Sequence, residues 1–307
     1  MKTPYQETIP NPYPNITKLI KFDLQKPIRD FQLIRAKSGV YVYKCVYDGT
    51  LAVVKYFESE SDRREILNYR ILTQHGIPTI KTLELGKTAL VMEDISASKN
   101  WRLGAPEDFA DVNVAKSLAQ WYFTLHESGS AISELDTLYF EFDKITEENL
   151  KLLIQKFPKA EELFSFVLNR YSKLKELIYK PIFTLTYNDF YWTNFVVQKD
   201  KKAAMMFDYN FLGRGYRFSD FRNVCSSLSD KTKAVFTDGY NRLYLERHGH
   251  TYEFAELEER IDDLMEPLFS LFVAFTERET FPDWAKEYKD EAINGCLLAK
   301  AKRLLDR

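Results

Sequence analysis

The spacing of apolar positions divides the chain into a strand-like first third and a helical remainder that is interrupted by a short strand-like island. From Phe31 to Phe57 the run FQLIRAKSGVYVYKCVYDGTLAVVKYF alternates with period two and is rich in Val and Tyr. That pattern predicts strands, with Asp48-Gly49 as the hairpin turn between two of them. The next stretch, ESDRREILNYRILTQHG, has helical spacing and stops at Gly76, with Pro78 just beyond. IKTLELGKTALVMEDI then predicts two more strands around Gly86-Lys87. The first 95 residues therefore read as a small sheet carrying one helix.

SASKNWRLGAPEDF is polar and turn-rich, and reads as a linker. The pattern after it is helical. VNVAKSLAQWYFTLHESG predicts a helix that stops at Gly129. ITEENLKLLIQKF predicts another, with Thr146 as N-cap and Glu147 and Glu148 in its first turn. KAEELFSFVLNRYSKLKELIYK reads as a third, ending before Pro181. A strand-rich island covers about Phe183 to Phe207, and helices fill the chain from Ser219 on. The expected fold is α+β and bilobal: residues 1–95 form a β-rich lobe, and residues 96–307 a mainly helical lobe carrying the island.

Composition narrows the function classes. The 307 residues are 45% hydrophobic and 29% charged, as in an ordinary soluble globular protein. A net charge of −2 gives no electrostatic case for nucleic acid or an anionic membrane. No apolar run is long enough to span a bilayer. The opening MKTPYQETIPNPYPN has no apolar region behind its lysine, so no signal peptide is expected. Cys45, Cys225 and Cys296 are far apart and odd in number, which argues against a disulfide framework and fits a reducing cytoplasm. Each is expected to be a small buried hydrophobe. His248 and His250 lack a nearby third ligand and read as a solvated loop rather than a metal site.

Four polar residues stand out against apolar surroundings. Lys55 lies inside the strand pattern LAVVKYF, where a fixed ammonium can neutralise nucleotide phosphates. Glu65, ten residues on, can pair with it from the predicted helix; Glu58 and Glu60 are rival partners. Asp189 and Asn194 interrupt the apolar LTYNDFYWTNFVV, and buried polar groups are costly unless used or satisfied. An Asp beside a substrate hydroxyl can orient it and take its proton. An Asn beyond a tight turn can offer its amide oxygen to Mg²⁺, and Asp208, after the strand-like AMMF, can complete a hard oxygen set. Taken singly, these are turn-formers and caps; all three in order beside Lys55 point to phosphoryl transfer.

YNDFYWTNFVV followed by MMFDYNFLGRGYRFSDF resembles the catalytic segment of the aminoglycoside phosphotransferase and choline kinase family, which has a protein-kinase-like fold. The resemblance spans roughly Phe31 to Leu228. It implies that Asp189 is the catalytic Asp, that Asn194 and Asp208 hold magnesium, and that Asp220 buttresses the structure. AVVK looks like the strand of the ATP-phosphate lysine, and LVMEDI like the hinge that binds adenine through the backbone of Glu93 and Ile95. LAQWYFTLHE resembles the family helix that ends in Leu-His. The phosphate-covering loop falls on AKSGVYVYK, where Ser38 and Gly39 replace a glycine-rich run. Tyr187 stands where the family usually has His. Asp208-Tyr209-Asn210 is not Asp-Phe-Gly, and no Ala-Pro-Glu follows, which points away from protein substrates.

The resemblance thus implies ATP and Mg²⁺ as cofactors and a small-molecule hydroxyl as acceptor. Phe236–Ile293 carry 15 acidic against 6 basic residues, and residues 1–95 carry 14 basic against 11 acidic. An acidic acceptor lobe suits a cationic, aminoglycoside-like acceptor. The aromatic PLFSLFVAFTERETF and Trp284 suit a choline- or ethanolamine-type acceptor through cation–π attraction. A nucleotide-binding pseudokinase serving as an interaction module is the reading from another class. Nothing in the sequence sets an oligomeric state.

Overall fold

The computed structural model describes residues 12–306; most of the opening segment read as lacking a signal peptide (1–11) lies outside them. Helix α1 (Pro14–Asp23) precedes strands β1 (Ile28–Lys37), β2 (Val40–Tyr47) and β3 (Thr50–Phe57). Helix α2 (Arg64–Gln74) and strands β4 (Thr82–Leu85) and β5 (Ala89–Glu93) follow. The strands form one antiparallel sheet in the order β1-β2-β3-β5-β4. Asp48 and Gly49 turn β2 into β3 with positive φ angles of 47° and 78°, as a type I′ hairpin requires. Gly76 ends the α2 segment at φ 68°, the left-handed conformation in which glycine is favoured.

Beyond the sheet come β6 (Trp101–Leu103), α3 (Val112–Gly129), α4 (Glu147–Lys156), α5 (Glu161–Leu168) and α6 (Tyr171–Ile178). Four short strands follow: β7 (Thr184–Thr186), β8 (Phe195–Gln198), β9 (Ala204–Met206) and β10 (Gly213–Gly215). The chain ends in α7 (Arg217–Ser227), α8 (Asp230–His248), α9 (Glu256–Thr276), α10 (Lys286–Ile293) and α11 (Cys296–Leu305). Thr146 caps α4 as expected, its hydroxyl accepting from the Asn149 amide at 3.1 Å. The architecture is α+β, with an antiparallel sheet at the N-terminal end and a larger helical part.

The chain divides into two compact units. One comprises residues up to 133 with 187–212 and 223–251; the other comprises 134–186, 213–222 and 252 onward. The first holds the five-stranded sheet, α2, α3 packed on α8, and the three-stranded sheet β6-β8-β9. The second has a helical core that includes Leu150, Leu163, Leu174, Ile261, Leu264, Leu268 and Leu297, and the small β7-β10 pair.

Several elements depart from the sequence reading. The N-terminal sheet carries a second helix, α1, which packs Ile16, Ile20 and Leu24 onto one sheet face. Its Asp23 carboxylate accepts from the amides of Lys87 (3.0 Å), Thr88 (2.8 Å) and Ala89 (2.9 Å) and so ties the helix to the β4–β5 turn. A Cβ at Gly86 would collide with that carboxylate. The segment read as a linker contains β6, whose pairing with β8 only the folded chain reveals. The helix read across residues 159–180 breaks into α5 and α6 at Asn169–Arg170. Cys45 is buried, but Cys225 is half-buried and Cys296 exposed. His248 ends α8 rather than lying in a loop, with its Nε2 2.8 Å from Glu127. Among the described residues no helix is long and apolar enough to cross a membrane.

Candidate active site

Alternation along β3 places Lys55 on the sheet face opposite α1, toward α2. Its Nζ donates to Glu65 Oε2 at 2.5 Å and to Asp208 Oδ1 at 2.7 Å. Of the three glutamates weighed as partners, Glu65 makes the pair; Glu58 instead accepts from Tyr41 and Glu60 is exposed. Burial opposes the Lys55 charge, but the two carboxylates outweigh it and raise its pKa. Glu65 is itself buried, and its Oε1 has no hydrogen-bond partner among the described residues. Burial pushes the Glu65 carboxyl up to about 7, against the pull of Lys55.

The β8–β9 hairpin brings the remaining groups together. Asn194 directly precedes β8, and Asp208 lies two residues past β9. Phe195 pairs with Met206, and the Phe207 amide donates to Asn194 O at 2.9 Å. The register thus makes Asn194 and Asp208 neighbours although fourteen positions separate them. Asp208 has φ 61°, a left-handed conformation uncommon outside glycine and often found at functional sites.

Asn194 Nδ2 donates to Asp189 Oδ2 at 2.7 Å and to Asp189 O at 3.2 Å, which fixes the carboxylate of Asp189. Asn194 Oδ1 accepts from Thr193 Oγ1 at 3.1 Å. Burial and the nearby Asp208 push the Asp189 carboxyl up to about 7, only partly offset by Asn194 and Lys55. Lys55, Glu65 and Asp208 thus form one bonded group, and Asp189 and Asn194 another, with Asp208 electrostatically coupled to Asp189.

Tyr187, two residues before Asp189, is fully buried. Its hydroxyl donates to Phe207 O at 2.6 Å, so it holds the residue before Asp208. Burial keeps this phenol far above its ordinary pKa, and it stays a neutral donor. The next residue, Asn188, has φ 67° and donates to Phe211 O at 3.0 Å.

The other sequence candidates lie around this group. Ser38 and Gly39, with φ 50° and 78°, make a two-residue turn between β1 and β2. β1 and β2 stay paired up to Lys37 and Val40, so this segment is a tight hairpin rather than an extended glycine-rich flap. Glu93 ends β5, with its amide donating to Lys81 O at 3.0 Å. Ile95 opens a short 3-10 turn capped by the Asp94 carboxylate, which accepts from the Ser96 amide at 2.9 Å. Asp220 is buried in the second unit.

One residue of the group was missed in the sequence. Asn68, buried on α2, donates from Nδ2 to Tyr209 O at 2.7 Å and Leu212 O at 3.4 Å. Arg64 on the same helix donates to Asn210 Oδ1 at 3.1 Å. The segment after Asp208 is therefore bonded to the helix that carries Glu65. The available signal was spacing: Asn68 is three residues from Glu65, on the same helical face.

The second unit has a charged cluster of its own. Asp262, buried on α9, accepts from Arg222 Nε at 2.5 Å and Ser219 Oγ at 2.7 Å. Glu266 lies 3.8 Å from Arg222 and accepts from Ser270 at 2.8 Å. Burial, with Glu266, Asp262 and Asp220 around it, pushes the Glu141 carboxyl up to about 8 against the pull of Arg222.

No family model matches the chain, and no curated protein matches its sequence. Solved structures do match its fold. A choline kinase from Cryptosporidium parvum has a TM-score of 0.57 at 13% identity, over 91% of this chain and 90% of that one. Spectinomycin phosphotransferase in complex with ADP and spectinomycin has a TM-score of 0.55 at 14% identity, over 94% of this chain and 96% of that one. A macrolide 2'-phosphotransferase from Brachybacterium faecium has a TM-score of 0.54 at 13% identity, over 91% and 98%. Likeness over nine-tenths of the chain at such low identity establishes the fold: this chain shares the fold of these three solved structures.

Proposed function

We propose that the chain is an ATP- and Mg²⁺-dependent phosphotransferase that moves the γ-phosphate to a hydroxyl of a small, cationic molecule. The observation that carries this reading is the bonded set Lys55–Glu65–Asp208, coupled to the Asp189–Asn194 pair. Phosphoryl transfer asks a protein mainly for positioning and charge neutralisation, and these groups supply both. Lys55, held on a strand and kept protonated, serves the phosphates. Asp189, with its pKa near 7, is matched to orienting an acceptor hydroxyl and taking its proton near neutral pH. The Asn194 contact sets the direction of that carboxylate.

Asp208 and Asn194 offer a carboxylate and an amide oxygen, the hard donors that suit magnesium. They would hold Mg²⁺, which when bound neutralises charge on the transferring phosphate. The solved relatives support the reading by their own activities, and the spectinomycin enzyme by its bound ADP. A cationic acceptor is supported by the acidity of Phe236–Ile293, with 15 acidic against 6 basic residues.

The test is an ATP-consumption screen, with and without Mg²⁺, over aminoglycosides, choline, ethanolamine and amino-sugar alcohols. Turnover with an aminoglycoside is expected. Turnover confined to choline or ethanolamine would move the chain to the choline-kinase type. Nucleotide binding with no turnover of any acceptor would leave an interaction module and overturn the enzyme reading.

A further inference from the structure

A cavity of about 500 Å³ lies within the first compact unit, and none of Lys55, Glu65, Asp189, Asn194 or Asp208 lines it. Its volume is in the usual range of small-molecule sites. Trp101 on β6, Trp121 on α3 and Met205 on β9 line it, together with the segment from Pro78 that leads into β4. Glu93 closes one side. It opposes Ala52 in the β3–β5 register, so its side chain stands on the sheet face opposite Lys55. The cavity therefore lies behind the end of β5, away from the face that carries the phosphate lysine.

The walls are apolar and the rim is charged. Trp121 and Met205 are buried and Trp101 is half-buried; two indoles and a thioether offer flat, adaptable apolar surface. The charged lining residues are Lys81, Lys202 and Glu93, so cations outnumber anions two to one. Both lysines are exposed. Lys202 lies 3.3 Å from Asp200, and Lys81 has no ion pair among the described residues. Trp121 also faces the active-site loops. Its ring lies 5.8 Å from that of Tyr187 and 6.4 Å from that of Tyr209. Those tyrosines donate to Phe207 O and Met206 O, the two carbonyls that precede Asp208.

We propose that this cavity binds a planar, apolar molecule bearing one anionic group, and that its occupancy bears on Asp208 through Trp121. The rings of the ligand lie against the tryptophans and Met205, and the anion reaches Lys81 and Lys202. Trp121 is then a shared wall: one side meets the ligand, and the other supports the tyrosines that hold the approach to Asp208. The coupling to Asp208 rests on the nucleotide reading of the preceding section, whereas the binding does not.

The probes are naphthoate and naphthamide, which share a ring system and differ in charge, titrated calorimetrically into the full chain. Naphthoate should bind about fivefold more tightly, the scale of partly exposed ion pairs. Replacing both rim lysines (Lys81→Gln with Lys202→Gln) should erase that preference and leave naphthamide unchanged. Ala203→Trp places a large ring in the cavity that Ala203 lines and should abolish binding of both probes. Ser117→Trp, from α3, fills the same space should the first variant fail to fold. A wild-type chain that binds neither probe, or a filled chain that still binds naphthoate, overturns the site. A lysine variant that keeps the preference overturns its anionic character. Saturating naphthoate should also shift the affinity for Mg²⁺-ATP about fivefold or more in the wild type, and not in the filled variant. An equal ATP affinity with and without naphthoate overturns the coupling. A wild-type chain that binds naphthoate but no ATP would overturn the nucleotide reading and leave the site standing.

Discussion

Lys55 in one compact unit and Arg222 in the other are each set between two carboxylates, and the two sets are built to opposite ends. In the first, Lys55 bonds to Glu65 and Asp208; in the second, Arg222 meets Asp262 and Glu266. The second set is closed. Asp262 also accepts from Ser219, Glu266 accepts from Ser270, and the guanidinium suits several acceptors held in one plane. The first set is left open. Glu65 has a buried oxygen without a partner among the described residues, Asp208 is in a left-handed conformation, and the cation is a compact ammonium. The proposed exchange of one Lys55 partner for a phosphate would use that incompleteness, and the closed Arg222 set offers no such opening.

The comparison is sharpest where one substitution should separate activity from stability. Asp189→Ala should lower transfer about 10²–10⁴-fold, the usual contribution of a positioned base, while nucleotide titrations stay within a few-fold of wild type. Full activity in that variant would remove Asp189 from the mechanism. Lys55→Met should also cost activity heavily, about 100-fold in kcat/KM, yet barely move the melting temperature. The Glu65 carboxyl left behind already has a pKa near 7, so it can take up a proton instead of remaining an unpaired charge.

Arg222→Met should show the reverse. It leaves Asp262, 1% exposed, with Ser219 in place of its cation, and breaking such a pair costs about 3–5 kcal/mol. Denaturant unfolding of the two variants checks the contrast. If Lys55→Met proves the less stable of the two, the distinction between an open and a closed set fails.

How legible this was in the sequence depended on how local each signal is. Thr146, Gly76 and Asp48-Gly49 act within a few residues of themselves, so caps and turns could be read directly. Lys55, Asp189, Asn194 and Asp208 are polar residues in apolar runs, and their spacing pointed to chemistry before any contact was known. Helix α1 was not legible because its anchor, Asp23, works through the amides of residues 87–89, more than sixty positions away. Strand β6 is three residues long and is defined by its partner β8. Asn68 gave a weak signal, an amide on the buried face of a helix, whose two carbonyl partners lie more than 140 positions on.

The pH dependence follows from Asp189. Its carboxyl must be ionised to accept a proton, and burial with Asp208 pushes its pKa up to about 7. Turnover should therefore fall about tenfold per pH unit below about 7 and level off above it. Stability should run the other way. A folded pKa raised above the unfolded value near 3.9 means that the folded chain binds the extra proton, so this group's contribution falls as pH rises from about 4 to about 7. Glu141 and Glu258, pushed by burial up to about 8 and about 7, act in the same direction. Asp189→Asn removes only one share of the slope, and should make the chain about 1–3 kcal/mol more stable at pH 8 than wild type. Unfolding curves at pH 5 and pH 8 that shift equally for both proteins would show that Asp189 carries no such strain.

The smallest expected effect is at Asn68. Its amide donates to Tyr209 O and Leu212 O, so it positions the segment after Asp208 without touching a reacting group. Asn68→Ala leaves a buried carbonyl unsatisfied, at about 1–3 kcal/mol. Loosening Asp208 should weaken Mg²⁺-dependent nucleotide binding several-fold more than nucleotide binding without Mg²⁺. A purely structural role would lower the melting temperature and leave that ratio unchanged. Asn68→Asp is the sharper variant, because it keeps the shape but replaces the donating amide with a carboxylate facing two carbonyls. It should therefore disturb the Mg²⁺ dependence more than Asn68→Ala does. If the Asp variant binds nucleotide with the wild-type Mg²⁺ dependence, then Lys55, and not helix α2 through Asn68, holds Asp208 in place.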